Sequence, residues 1–156
     1  MTSRGIRIGF LVCAFVAPGL FLAAEDGGAK SVDAAWMKAM KANDMDAVLA
    51  CYAADAVMWL PEAAEARGTK AIREVYAGYF EAYTVEDALL PNATYQTSGD
   101  LSAAWGNYVL KLKPKKGGDM VVLKGRFTVV SKKLGGKWVY VADQASAEPP
   151  PPSGKM

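Results

Sequence analysis

The chain has 156 residues, 52% of them hydrophobic, with 18 basic against 16 acidic side chains, two cysteines and no histidine. That length gives room for one domain. The absence of histidine excludes Ser-His-Asp and Cys-His nucleophilic chemistry and His-ligated metal sites, so any acid–base work falls to Asp, Glu, Tyr or Lys.

Residues 1–24 have the three parts of a secretory signal. Arg4 and Arg7 form a basic start, Ile8 to Leu22 an apolar stretch, and Ala23-Ala24 supply small residues before Glu25-Asp26. The apolar stretch is short for a membrane span, which takes roughly 20 residues, and Pro18-Gly19 interrupts it. The expectation is a periplasmic or secreted protein with no membrane partner after signal removal; an uncleaved anchor is the alternative. The signal carries two arginines and no acid, so the mature domain is neutral and lacks the basic footprint that nucleic acid needs. Only Cys51 then remains, which rules out an intramolecular disulfide, and its apolar setting reads as a buried inert thiol.

The domain is expected over residues 25–147. Val32, Ala35, Trp36, Ala39 and Met40 follow helical spacing, with Ser31 as N-cap. Asn43-Asp44 breaks and recaps the chain, and Met45, Val48, Leu49 and Tyr52 form the stripe of a shorter second helix. A short strand, Ala56 to Leu60, ends at Pro61. A third helix opens after Gly68-Thr69 with Ile72, Val75, Tyr76, Tyr79, Phe80 and Tyr83 on one side. Strands follow around Ala93–Thr97, Ser102–Leu112, Asp119–Lys132 and Trp138–Ser146, divided by Gly-rich turns. Residues 148–156 are Pro-rich and read as a disordered tail. Helices early and hairpins late predict an α+β layer fold, with three helices on one face of a mostly antiparallel sheet.

Several strings in this order resemble one family. Ala42-Asn43-Asp44-Met45-Asp46-Ala47-Val48-Leu49, then Tyr52-Ala53-Ala54-Asp55-Ala56-Val57, is similar to its second helix running into its first strand. Gly68-Thr69-Lys70-Ala71-Ile72-Arg73 resembles the start of its third helix. Gly125-Arg126-Phe127-Thr128, Gly136-Lys137-Trp138-Val139 and Asp143 resemble its closing hairpin. The family is that of the SnoaL-like, ketosteroid-isomerase-like domains of the nuclear-transport-factor-2-like superfamily. The resemblance covers about residues 31–147 and implies a strongly curved sheet around a long helix, enclosing a conical cavity. Members include ketosteroid isomerases, scytalone dehydratases, polyketide cyclases and limonene-epoxide hydrolases, so the fold by itself assigns no reaction. Related members often carry histidines beside the last-strand aspartate. Here those neighbours are Ala142 and Gln144, which counts against cyclase-type mechanisms.

Asp143 is the leading candidate for a base, because it is the charge that interrupts the apolar run Trp138 to Ala142. The alternative is a structural ion pair with Arg126 or Lys124 on the neighbouring strand. Tyr52, Tyr76 and Tyr108 are candidate donors to a ligand carbonyl. Trp59, Trp105, Phe80 and Arg126 are candidate pocket residues. Asp55, at a helix–strand junction, and Glu62 and Glu65, beside a turn, read as structural or solvated. No metal and no cofactor are expected. The partners expected are a small, largely apolar molecule in the cavity, with or without isomerase- or dehydratase-type proton transfer, and a second copy of the chain. Both alternating sets of Met120–Val130 are substantially apolar, Val121, Leu123, Phe127 and Val129 on one side and Met120, Val122 and Val130 on the other, and helices cover only one face. The rival is a non-catalytic dimerising module whose cavity is filled by its own aromatics.

Overall fold

A computed structural model describes residues 27–149. The signal expected at 1–24 and nearly all of the expected tail lie outside them. Helices α1 (Gly28–Ala42), α2 (Met45–Leu49) and α3 (Gly68–Ala82) alternate with or precede strands β1 (Tyr52–Trp59), β2 (Ala66–Arg67), β3 (Tyr83–Leu89), β4 (Thr94–Ser98), β5 (Leu101–Pro114), β6 (Val121–Leu134) and β7 (Lys137–Ala147). The strands form one curved sheet in the order β2-β1-β7-β6-β5-β3, with β4 also on β5. Only β1 and β7 run parallel. This is the expected α+β architecture. No helix among the described residues is long and apolar enough to cross a membrane.

Alternation along β6 sorts its two faces. Phe127 and Val129 are buried, whereas Val122, Lys124, Arg126 and Thr128 are exposed. The buried set faces the helices, and the core gathers there around Met40, Val48, Ile72, Val85, Leu112 and Tyr140.

Local differences from the sequence reading have physical causes. Helix α1 begins at Gly28, before Ser31, because its first turn is capped from the sheet: the Ala29 amide donates to Ser102 Oγ at 2.9 Å. Ser31 instead donates its hydroxyl to Gly28 O at 3.0 Å, inside the helix. Tyr52 belongs to β1, since α2 ends at Leu49. Tyr83 begins β3, a strand not anticipated because Thr84–Leu89 mixes acids with apolar residues. Strand β2 was not anticipated either; two residues carry no periodicity.

Asn43 and Asp44 do more than end a helix. Asn43 takes the left-handed conformation (φ 53°) that closes α1, and Asp44 caps α2 by accepting the Ala47 amide at 3.0 Å. The Asn43 side chain also accepts from Val85 N at 2.8 Å and donates to Val85 O at 3.2 Å, pinning the end of α1 to β3. Asn43→Ala therefore loses two hydrogen bonds and must hold an alanine in the left-handed region, a loss of roughly 2–4 kcal/mol. Asn43→Gly loses only the side-chain bonds, roughly 1–2 kcal/mol. Urea midpoints should rank wild type above Asn43→Gly above Asn43→Ala, and equal midpoints for the two variants would contradict the conformational part.

Candidate functional site

Between the helices and the inner sheet face lies a cavity of about 580 Å³. Helix α1 contributes Asp33, Trp36 and Met40, which the three- and four-residue helical spacing brings to one side. Helix α3 contributes Val75, Tyr76 and Tyr79, and β5 and β6 contribute Tyr108, Leu110, Phe127 and Val129. The aromatic rings line this space rather than fill it. Small residues Gly78, Ala145 and Ala147 on its wall leave it open.

Strand β7 supplies the chemistry. Tyr140 and Asp143 are three apart, a spacing that puts side chains on opposite faces of a regular strand. Here both reach the cavity. The reason is a bulge: Ser131 pairs with Tyr140 and Val130 with Ala142, so Val141 is an extra residue and the alternation shifts by one. Gly125 has a related role beside Tyr108, its partner across the sheet. A Cβ at Gly125 would approach the Tyr108 ring to 2.6 Å, so the ring lies against bare backbone.

Four side chains from four elements form a directed chain. Trp36 Nε1 donates to Tyr76 Oη at 2.8 Å, Tyr52 Oη donates to Asp143 Oδ2 at 2.6 Å, and the two tyrosine oxygens are 2.7 Å apart. An indole nitrogen only donates and a carboxylate only accepts, so the proton between the tyrosines is that of Tyr76. Every donor points toward Asp143. On the other side, Tyr140 donates to Asp33 Oδ1 at 2.5 Å. Asp33 is 1% exposed, with Tyr95 beside it. Asp143 keeps partial exposure while lining the cavity.

Both carboxyls titrate high. Burial raises Asp33 from 3.8 to about 6, against the opposing hydrogen bonds from Tyr140 and Tyr95. Burial raises Asp143 from 3.8 to about 6, with Tyr52 lowering it and the charge of Asp33 adding to the rise. Burial likewise holds Tyr52, Tyr76 and Tyr140 well above 10, and pushes Tyr95, near Asp33, up to about 12. The phenols stay neutral donors, and the two aspartates are the groups that change charge near neutrality. Cys51 is buried and raised to about 11, mainly by burial.

The structure thus brings Asp143, Tyr76 and Tyr108 to the cavity wall, with Tyr52 directly behind Asp143. The hydroxyl hydrogens of Tyr52 and Tyr76 are committed within the chain, which corrects the expectation of free donors to a carbonyl. The ion pair of Asp143 with Arg126 or Lys124 does not form. Arg126 is exposed on the outer face and is not a pocket residue, and Lys124 alternates to the same face although it borders the cavity. Trp59 and Trp105 are 40% and 41% exposed and lie off the cavity wall. Trp59 donates to Glu65 Oε2 at 2.9 Å, whereas Asp55 and Glu62 are exposed. Phe80 packs on the Tyr76 ring at 6.2 Å, behind the wall. The sequence reading missed Asp33, Trp36 and Tyr140. The available signal for the first was its position three residues before Trp36 and seven before Met40, a carboxyl on the apolar side of a helix. No cluster of three metal-ligating side chains occurs among the described residues.

The sequence model of the SnoaL-like domain matches residues 34–141. The chain belongs to the SnoaL-like domain family. Solved structures with this fold include a ketosteroid isomerase-like protein from Erwinia carotovora atroseptica, 23% identical over 78% of this chain and 94% of that one, TM-score 0.67. A nuclear transport factor 2-like superfamily protein from Salmonella enterica serovar Typhimurium is 14% identical over 80% and 92%, TM-score 0.69. A scytalone dehydratase candidate from Novosphingobium aromaticivorans is 11% identical over 77% and 81%, TM-score 0.70. No curated protein matches. At these identities the likeness shows the fold and leaves the chemistry to the site.

The raised aspartates make stability depend on pH with a definite sign. Unfolding returns each carboxyl to near 3.8, so between that value and about 6 the folded protein holds more protons than the unfolded chain. Stability then falls as pH rises through this window, by roughly 3 kcal/mol at most for buried Asp33. The melting temperature should be higher at about pH 5 than at about pH 7.5, and Asp33→Asn should reduce the difference, leaving the share of Asp143. A wild-type melting temperature that climbs over the same interval would contradict the assignment.

Proposed function

We propose that this SnoaL-like domain is an exported protein that binds a small, largely apolar molecule in its cone, where Asp143 serves as a base for isomerase- or dehydratase-type proton transfer. The observation that carries this reading is the cavity itself: about 580 Å³, walled by aliphatic and aromatic side chains, with a partly exposed carboxyl and a raised proton affinity. A carboxyl that titrates near 6 is matched to taking and returning a proton near neutrality. Tyr52, backed by Tyr76 and Trp36, orients it and stabilises its charged form. Two structural neighbours carry isomerase and dehydratase in their names, which fits proton transfer on this fold. Export rests on the Arg4/Arg7 start, the Ile8–Leu22 stretch and the small residues before Glu25.

Native mass spectrometry of gently purified protein should reveal a co-purifying small molecule, and Ala145→Leu, which fills the cavity wall, should abolish it without loss of folding. Asp143→Asn should keep the fold, because the amide preserves shape and no buried cation is stranded, while turnover of any substrate found falls by roughly 10²-fold or more. Cavity-filled protein that retains the ligand would contradict the reading.

The homodimer expected from the sequence is also proposed, through the outer sheet face. Its support is a row of register partners across four strands, Trp105, Thr128, Gln144 and Trp59, with both tryptophans exposed. Sedimentation should give a dimer at micromolar concentration and a monomer for Trp105→Glu; a monomeric wild type would remove the proposal.

A further inference from the structure

The cavity has an unbalanced charge. Asp33 and Asp143 both line it, and the three ion pairs among the described residues, Arg67–Glu65, Arg73–Asp46 and Lys111–Asp87, involve neither. The groups facing Asp143 are Tyr52 from β1, Tyr76 from α3, Tyr140 from its own strand and Asp33 from α1. Those facing Asp33 are Tyr140 from β7, Tyr95 from β4, Cys51 and Asp143. None is a cation. Lys124 borders the space, but its strand position turns its exposed side chain to the outer face. Asp33 is sealed in the wall, hydrogen-bonded by Tyr140, with Tyr95 beside it and no cation facing it, so its negative charge acts on whatever occupies the cavity.

A neutral apolar ligand would leave that charge uncompensated, and an anion would add to it. A molecule with an apolar body and one ammonium group meets both features. Its body contacts the aliphatic and aromatic wall. Its N–H groups reach the accessible side of Asp143, within the field of Asp33. We propose that the ligand class of this cavity is the hydrophobic monoamine, its ammonium paired with Asp143 and further stabilised by the buried charge of Asp33.

This inference rests on the apolar-cavity reading above, and matched ligands separate the two. Binding would be measured by calorimetry for two series, phenethylamine, phenethyl alcohol and phenylacetate, and cyclohexylmethylamine, cyclohexylmethanol and cyclohexanecarboxylate. In each series the amine should bind at least about tenfold more tightly than the alcohol at about pH 7.5, with the carboxylate weakest. The amine should weaken at about pH 5, where both carboxyls hold protons, while the alcohol stays unchanged. Asp143→Asn should abolish the amine preference and Asp33→Asn should reduce it; the pH comparison uses wild type and stands even where a variant folds poorly. Alcohols that bind as well as the amines, carboxylates that bind best, or a preference that persists in Asp143→Asn would overturn the amine assignment and leave the apolar cavity intact. Failure of all six compounds to bind would remove both.

Discussion

A β-strand sends alternate side chains to opposite faces, and β7 departs from this once, at Val141. The cavity chemistry depends on that extra residue. Without it Tyr140 and Asp143 would sit on opposite sides of the sheet, one in the core and one on the outer face. With it, Tyr140 reaches Asp33 on α1, while Asp143 reaches Tyr52 on β1. One local irregularity thereby ties the first helix, the first strand and the last strand to a single polar centre. The other polar member, Trp36, joins from α1 through Tyr76 of α3.

This centre works against stability. Two carboxyls held among apolar side chains are disfavoured in their charged forms, and the tyrosine hydrogen bonds offset only part of that penalty. A fold selected for stability alone would place apolar residues at both positions. Strain of this electrostatic kind, next to an open cavity, is what a binding or proton-transfer site requires: a ligand or a proton supplies what the walls do not. The contrast with the rest of the molecule is plain. Asp46, Glu65 and Asp87 pair with bases at the surface, where solvent makes such pairs nearly neutral in energy.

The overall architecture was readable because its signals are periodic. Helical spacing marked α1, α2 and α3, and Gly-rich turns marked the β4–β7 hairpins. Asp143 stood out as a charge in an apolar run. What escaped the sequence were features without a period. The bulge at Val141 leaves no mark in Trp138–Asp143, so nothing singled out Tyr140 as a cavity residue. Trp59 and Trp105 were assigned to the pocket on aromatic character, but strand register, which no single strand reveals, sends them outward. Asp33 escaped because one acid in a helix is usually solvated; its burial follows from tertiary packing against Tyr140.

Two carboxyls of raised proton affinity share one apolar cavity. Carbon-detected NMR titration of the aspartate side-chain carboxyls in the unliganded protein measures them directly. Asp33 and Asp143 should both titrate near 6, and Asp33→Asn should move Asp143 downward by removing a neighbouring negative charge. Titration of both carboxyls near 3.8, with Asp143 indifferent to Asp33→Asn, would contradict both expectations.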